Sequence, residues 1–561
     1  MTRLRDWQVQ AHKKAIAYYT NGNSDKHFVV NAAPGAGKTK LACAIAMTLL
    51  SMDEITRVIV IAPRRTVVGQ WAREFENVTG LEMDKITSAD RDQPLDMHIC
   101  ATWSAVSGLQ DVFQSICRSS RTLVICDEHH HAAIEAAWGA SADSAFCDAR
   151  YSLILTGTPV RSDGAQSVWL NLNEHGGLNH PEEGMFTLTY GQAVELKYCR
   201  PVIFHRHWGE FTFKLPGGEV GQISSDNPTL IPSRGDANAL LGQAVDFHKL
   251  ARTRTWEADQ VTPRSTSYQA SMMAWASEKL DQVRLEMPEA GGLVIAHNIK
   301  MAEYFAQLIE LQEGIRPLLA HSDMPSAERN IQRFRTGTNH RWLVSVGMVA
   351  EGVDIQRLRV LVYLPKAMTE LAFRQAVGRV VRNHGPNDRS RAYVIMPAVE
   401  QFDAFARRIE EDMPPIKTAD DQEPRAKVCR ICRGENDLGA KTCQHCGAEF
   451  PKRDVAFVPC ECGALNRLGQ SSCLTCGIDL LQPFEITLAD AARDGIISRG
   501  VELPEAEVRQ AEAMSEESRE FIRLAEGENQ MLASILKNFP LEFVPTIARL
   551  AAESGFGQKR E

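Results

Sequence analysis

Short apolar runs alternate with amphipathic, helix-like stretches along most of this chain. Between residues 26 and about 160 the runs are Phe28 to Val30, Val58 to Ala62, Met97 to Ala101, Thr122 to Cys126 and Ser152 to Thr156. Runs without polar alternation predict strands buried on both faces, and strands separated by helices predict a parallel sheet covered on both sides. The alternation returns after residue 290, at Gly292 to Ala296, Arg316 to Ala320, Trp342 to Val346, Val360 to Tyr363 and Ala392 to Met396. The pattern therefore predicts an α/β protein with two parallel-sheet domains in tandem.

From about 190 to 290 the pattern breaks. Pro216-Gly217-Gly218 and Pro228 to Pro232 read as loops, and Val245 to Arg284 as mostly helical. Glu410-Glu411-Asp412-Met413-Pro414-Pro415 and Asp420 to Pro424 are acidic and carry proline with no apolar period, which reads as a linker. A cysteine-rich region follows. The last stretch is Glu-rich and helical in pattern, with Ser515-Glu516-Glu517 a helix start. The expected domains are 1–190, a connecting insert 191–288, 289–410, an acidic linker 411–427, a cysteine region 428–480 and an α-helical tail 484–561.

Composition adds bounds. The 561 residues are 44% hydrophobic and 24% charged, ordinary for a globular chain, and the net charge of -9 leaves any attraction for phosphate to local basic patches. No apolar run approaches the roughly 18 residues of a membrane span. The polar, charged opening Met1 to Gln10 does not read as a signal peptide. Six of the 14 cysteines are scattered and eight are paired between Cys429 and Cys476, which suggests a reducing compartment, the cytoplasm, with metal at the pairs.

The chemistry concentrates at a few segments. Ala32-Ala33-Pro34-Gly35-Ala36-Gly37-Lys38-Thr39 lies between a predicted strand and the helix-like Leu41 to Leu50. Glycines there let backbone amides close on phosphate at a helix N-terminus, Lys38 reaches the β- and γ-phosphates, and the Thr39 hydroxyl ligates Mg²⁺. The run Thr122 to Cys126 delivers Asp127 and Glu128 to a strand end, where open α/β sheets place ligands. Asp127 would hold Mg²⁺ through its water shell, and Glu128 would polarise the attacking water. Three adjacent histidines, His129 to His131, point in different directions and do not make a ligand set. Far downstream, Arg379 and Arg382 stand three apart on one predicted helix face, placed to neutralise charge on the γ-phosphate.

Asp127-Glu128-His129-His130 resembles the DExH form of the Walker B motif of superfamily 2 DEAD/DEAH-box helicases. Leu4-Arg5-Asp6-Trp7-Gln8 resembles the Q-type motif, which implies that Gln8 contacts adenine. Ile59 to Arg64 with Gln70-Trp71 resembles motif Ia, Ala101-Thr102-Trp103 motif Ib, and Leu155-Thr156-Gly157-Thr158-Pro159 motif III. Gln375-Ala376-Val377-Gly378-Arg379-Val380-Val381-Arg382 matches QxxGRxxR, motif VI, which adds Gln375 to the catalytic set. Ala350 to Ile355 resembles motif V, which implies contacts from Gly352 and Asp354 to the nucleotide. The resemblance covers roughly residues 2 to 398 and is strongest to restriction-enzyme helicase subunits and RadD-like repair helicases. It implies two RecA-like domains, ATP and Mg²⁺ as cofactors, and a nucleic-acid partner, DNA in preference to RNA.

Cys429 and Cys432, like Cys443 and Cys446, are two residues apart, with ten residues between the pairs. Cys460, Cys462, Cys473 and Cys476 repeat the arrangement with a shorter first pair. Each set suits a Cys₄ zinc ribbon, giving two Zn²⁺ per chain. The ribbons or the acidic tail would also serve a protein partner. The combined reading is an ATP-dependent nucleic-acid helicase or translocase. An RNA helicase, or an ATP-gated assembly factor that separates no strands, is the alternative.

Overall fold

The computed structural model describes residues 4–413 apart from 23–24, 64, 88–97, 128–142, 158–168, 170, 173–177, 215–219, 226–245, 260, 347–354, 367 and 384–387; in 427–486 it omits 430, 437–439, 451–456, 461, 468–471, 474, 479 and 481–482. The chain divides into two compact units, Met1–Ile231 with Asp246–Asp494, and Pro232–Val245 with Gly495–Glu561. The second unit, and with it nearly all of the expected helical tail, lies outside the described residues. So does most of the acidic linker. Among the described residues no helix is long and apolar enough to cross a membrane.

The first sheet has the strand order Asp84–Ile86, His98–Thr102, Arg57–Ala62, Thr122–Asp127, Tyr151–Thr156, His27–Ala32, Met185–Leu188, and all its pairs are parallel. Val58 to Ala62, Leu123 to Asp127 and Tyr151 to Thr156 are buried without interruption, because helices cover both faces. Arg57–Ala62 and Thr122–Asp127 are neighbours, so their C-terminal ends open on the same crevice.

The second sheet runs Val202–His207, Ala392–Pro397, Leu358–Leu364, Gly291–Ala296, Trp342–Ser345, Leu318–Ala320, again all parallel. Its edge strand Val202–His207 corrects the expected insert 191–288, since that stretch contributes to the second domain itself. Histidines masked the strand. His205 stacks on Trp275 with ring centroids 4.0 Å apart, and His207 Nε2 lies 2.6 Å from Ser271 Oγ, so both are buried by the helix Tyr268–Glu286. Burial pushes His207 well below the usual imidazole range.

A smaller sheet pairs Glu210–Lys214 antiparallel with Val220–Ser224 and parallel with Pro483–Glu485. The tail expected to be helical from 484 thus begins as a strand. Phe484 packs on Phe211 and Tyr268 at 5.9 and 5.3 Å between ring centroids, and this apolar anchor outweighs the helical pattern beyond it.

A buried ion cluster joins the second sheet to the segment entering it. Arg200 and Arg359 both bind Asp388 Oδ2, at 2.7 and 2.9 Å, and the two arginine side chains are 1% and 0% exposed. Asp388→Ala leaves two guanidinium groups buried without their carboxylate. The expected loss is about 3–5 kcal/mol of stability, read as a lower urea midpoint with an unchanged slope.

Candidate ATP cleft and cysteine centres

The loop after strand His27–Ala32 turns at Gly35 and Gly37, with φ of 80° and 102°. Both angles lie in the left-handed region that glycine enters without strain. Helix Lys38–Ser51 starts there, with its first amides unclaimed by the helix itself. Lys38 is buried, and its Nζ donates to Ala32 O at 2.9 Å. Residues outside the loop brace it. Arg5 Nη1 donates to Ala36 O and Gln8 Nε2 to Gly37 O, both at 2.9 Å, while the Gln8 carbonyl accepts from Arg5 N at 2.8 Å. Gln8, which the resemblance assigns to adenine, is thus held at both amide ends.

Asp127 ends its strand 91% buried, and its Oδ2 accepts from Trp71 Nε1 at 2.7 Å. Glu128 follows directly, but it lies outside the described residues, as do His129 to His131, Thr158, Pro159, Gly352 and Asp354.

The second domain presents helix Glu370–Val380, carrying Gln375 and Arg379, and just beyond it Arg382. A cavity of about 540 Å³ brings the halves together. Gly35, Gly37, Lys38, Thr39 and Asp127 line it from the first domain, and Gln375, Arg379 and Arg382 from the second. Pro34 lines it too, while Ala36, also in the loop, is fully buried. Arg5, Trp71, Glu74 and Arg335 also line it; the sequence placed Arg5 and Trp71 only within motif segments, without a role of their own, and did not single out Glu74 or Arg335. Cys199 was missed as well: its Sγ donates to Pro34 O at 3.2 Å, and burial pushes its thiol up to about 11 despite nearby Lys38 and Arg382.

Each cysteine set gathers its four Sγ atoms within 4.8 Å of one another. Cys429–Cys446 and Cys432–Cys443 stand 3.6 and 3.5 Å apart, and Cys460–Cys476 and Cys462–Cys473 3.4 and 3.6 Å. Disulfide sulfurs lie about 2.05 Å apart, whereas a tetrahedron of Zn–S bonds of about 2.3 Å has edges near ~3.8 Å. The donor set therefore fits zinc. The residue after the second cysteine of each pair has positive φ: Arg433 61°, Gly447 72°, Gly463 84° and Gly477 75°. The short pair Cys460–Cys462 thus closes its turn as the others do, with Gly463 N donating to Cys460 O at 2.8 Å. The backbone N–H of Cys476, against the opposing pull of burial and with help from Thr475, draws the Cys473 thiol down, while Cys460 and Cys476 of the same set are pushed up, so without metal the set favours one thiolate rather than several. Binding a metal would draw the remaining protons off the set.

Two family models match the chain: the res subunit of type III restriction enzymes over residues 1–161, and the helicase conserved C-terminal domain over residues 276–384. An uncharacterized protein of Mycobacterium tuberculosis strain H37Rv is 30% identical over 409 residues, covering 72% of this chain and 63% of that protein. One of Mycobacterium leprae strain TN is 31% identical over 410 residues, covering 72% and 64%. The chain thus spans just under two thirds of the length of these relatives. A solved ATP-dependent type ISP restriction-modification enzyme, LlaBIII bound to DNA, matches with a TM-score of 0.45 and 17% identity, over 71% of this chain and 28% of that one.

Elemental analysis of the purified protein is expected to give two zinc ions per chain, falling to one in Cys443→Ser and in Cys473→Ser. One zinc in the unsubstituted protein, unchanged by Cys473→Ser, would mean that the short pair fails as a ligand set.

Proposed function

The chain belongs to superfamily 2 of the helicases, resembling its restriction-enzyme branch, and on that premise we propose that it is a nucleic-acid-stimulated ATPase that moves along DNA. The observation that carries the reading is the shared cavity, where Lys38, Thr39 and Asp127 of one domain face Gln375, Arg379 and Arg382 of the other. The loop amides and Lys38 would hold the β- and γ-phosphates, and Thr39 with Asp127 would hold Mg²⁺, which screens phosphate charge and helps to orient it. Glu128 would orient the attacking water. Arg379 and Arg382 would neutralise charge spreading over the γ-phosphoryl oxygens. Gly352 and Asp354 are proposed for the nucleotide on the resemblance alone.

Hydrolysis then requires both domains closed on one nucleotide. A strand lying across both domains favours closure, so nucleic acid stimulates turnover, and each cycle of closing and reopening advances the protein. DNA is favoured over RNA by the match to restriction-enzyme subunits. The test is ATPase rate with single-stranded, duplex and forked DNA and with RNA.

Glu128→Gln is expected to keep ATP binding and lose turnover by a factor on the order of 10² or more. Lys38→Ala is expected to weaken nucleotide binding instead, seen by equilibrium titration. A near-normal rate in Glu128→Gln would remove Glu128 from the mechanism.

The zinc ribbons are proposed as phosphate contacts through Arg433 and Lys441, both exposed. Deleting everything beyond residue 427 is a poor test, because it also strips Phe484 from Phe211 and Tyr268. Arg433→Ala with Lys441→Ala leaves that anchor in place. The double variant is expected to bind DNA more weakly, with a salt slope shallower by roughly 1 per lost contact. Unchanged affinity and slope would point to protein docking instead.

A further inference from the structure

Helix Arg65–Thr79 follows strand Arg57–Ala62, the neighbour of the strand that ends at Asp127. Val67, Gln70, Trp71 and Glu74 of this helix line the cleft beside Asp127. Trp71 alone among them is 1% exposed, packed in the core of the first domain, with its indole N–H on Asp127 Oδ2 at 2.7 Å. An indole N–H only donates and does not titrate in the physiological range. A rigid ring held by core packing therefore occupies one oxygen of the carboxylate and fixes the plane of the group.

We propose that Trp71 is a positioning residue for the magnesium site: its N–H sets the direction in which Asp127 presents its carboxylate to the bound metal. Partners of this kind orient ligands that would otherwise sample several rotamers, and their loss weakens metal binding. The helix that carries Trp71 starts at Arg65, just past the strand of the segment that resembles motif Ia. One rigid element thus links the segment that resembles motif Ia with the group proposed to hold the metal. The inference rests on the proposed ATPase reading of the cleft.

The experiment is a titration with N-methylanthraniloyl-ATP, read by fluorescence, in EDTA and in saturating Mg²⁺. The ratio of the two dissociation constants measures the coupling of metal to nucleotide. Trp71→Phe keeps an aromatic ring and removes the donor. It is expected to reduce the ratio by a factor on the order of ten, with the affinity in EDTA unchanged. In an Asp127→Asn background, where the ratio is already reduced, Trp71→Phe is expected to add nothing. Trp71→His retains a ring N–H while sharing any packing defect, and is expected to keep more of the coupling than Trp71→Phe.

A normal ratio in Trp71→Phe overturns the inference, as does a further reduction of the same size on top of Asp127→Asn. Equal losses in Trp71→Phe and Trp71→His also overturn it, since they would reflect packing. If Asp127→Asn alone leaves the ratio untouched, the ATPase reading of the cleft falls and the inference falls with it.

Discussion

Pro34 of the phosphate loop and Gly378 of the helix Glu370–Val380 meet with no room for a methyl group between them. A Cβ on Gly378 would lie 2.7 Å from Pro34 Cβ, and one on Gly35 would lie 2.7 Å from Arg382 Cγ. Both are well inside van der Waals contact, so the two glycines set how closely the domains approach. Cys199 seals the seam from behind, bonding Pro34 O and bridging to Arg382 through the backbone. The arginines reach the cleft because this seam is tight. A larger residue at either glycine would hold the domains apart and withdraw the guanidinium groups from the phosphate loop.

Much of this was legible in the sequence because the relevant physics is local. Gly35, Gly37 and Lys38 encode a backbone path and a charge within a few residues, and the spacing of Gln375 and Arg379 places them on one helix, whereas Arg382, expected on the same helix face, lies past the helix end with its backbone bridged to Cys199. Uninterrupted apolar runs marked the inner strands of both sheets, where burial is two-sided. The misses have a different character. Val202–His207 hides two histidines whose burial depends on Trp275 and Ser271, some 60 or more residues away. Pro483–Glu485 is a strand only because Glu210–Lys214 offers it an edge. The bond from Trp71 to Asp127 joins residues 56 apart in sequence, and Gln70-Trp71 was visible only as a flank of motif Ia. Long-range satisfaction of polar groups leaves little trace in periodicity.

The cysteine modules show a second balance between local and distant terms. Their strands are two or three residues long, too short for independent stability. Their apolar clusters are small: Cys429, Cys443 and Phe450 in one, Cys460, Cys473 and Leu480 in the other. The buried cysteines form the core and would also serve as ligands, so metal binding would supply much of the folding energy. Arg433 takes a left-handed turn where the other three positions have glycine, a strain that four closed thiolate bonds are suited to hold.

The pairing of Pro483–Glu485 with the small sheet changes the mechanics of what precedes it. Met413 is buried in the core of the second domain, and Phe484 and Ile486 are buried at the other end. The stretch between them is therefore tethered at both ends, and the ribbons cannot swing as a module on a single leash would. A doubly tethered segment explores a smaller volume, and anything it grips stays at a high effective concentration beside the second domain. Under the proposed reading, a strand caught by the ribbons would move with the second domain as the cleft closes and reopens, as freight lashed to the moving part.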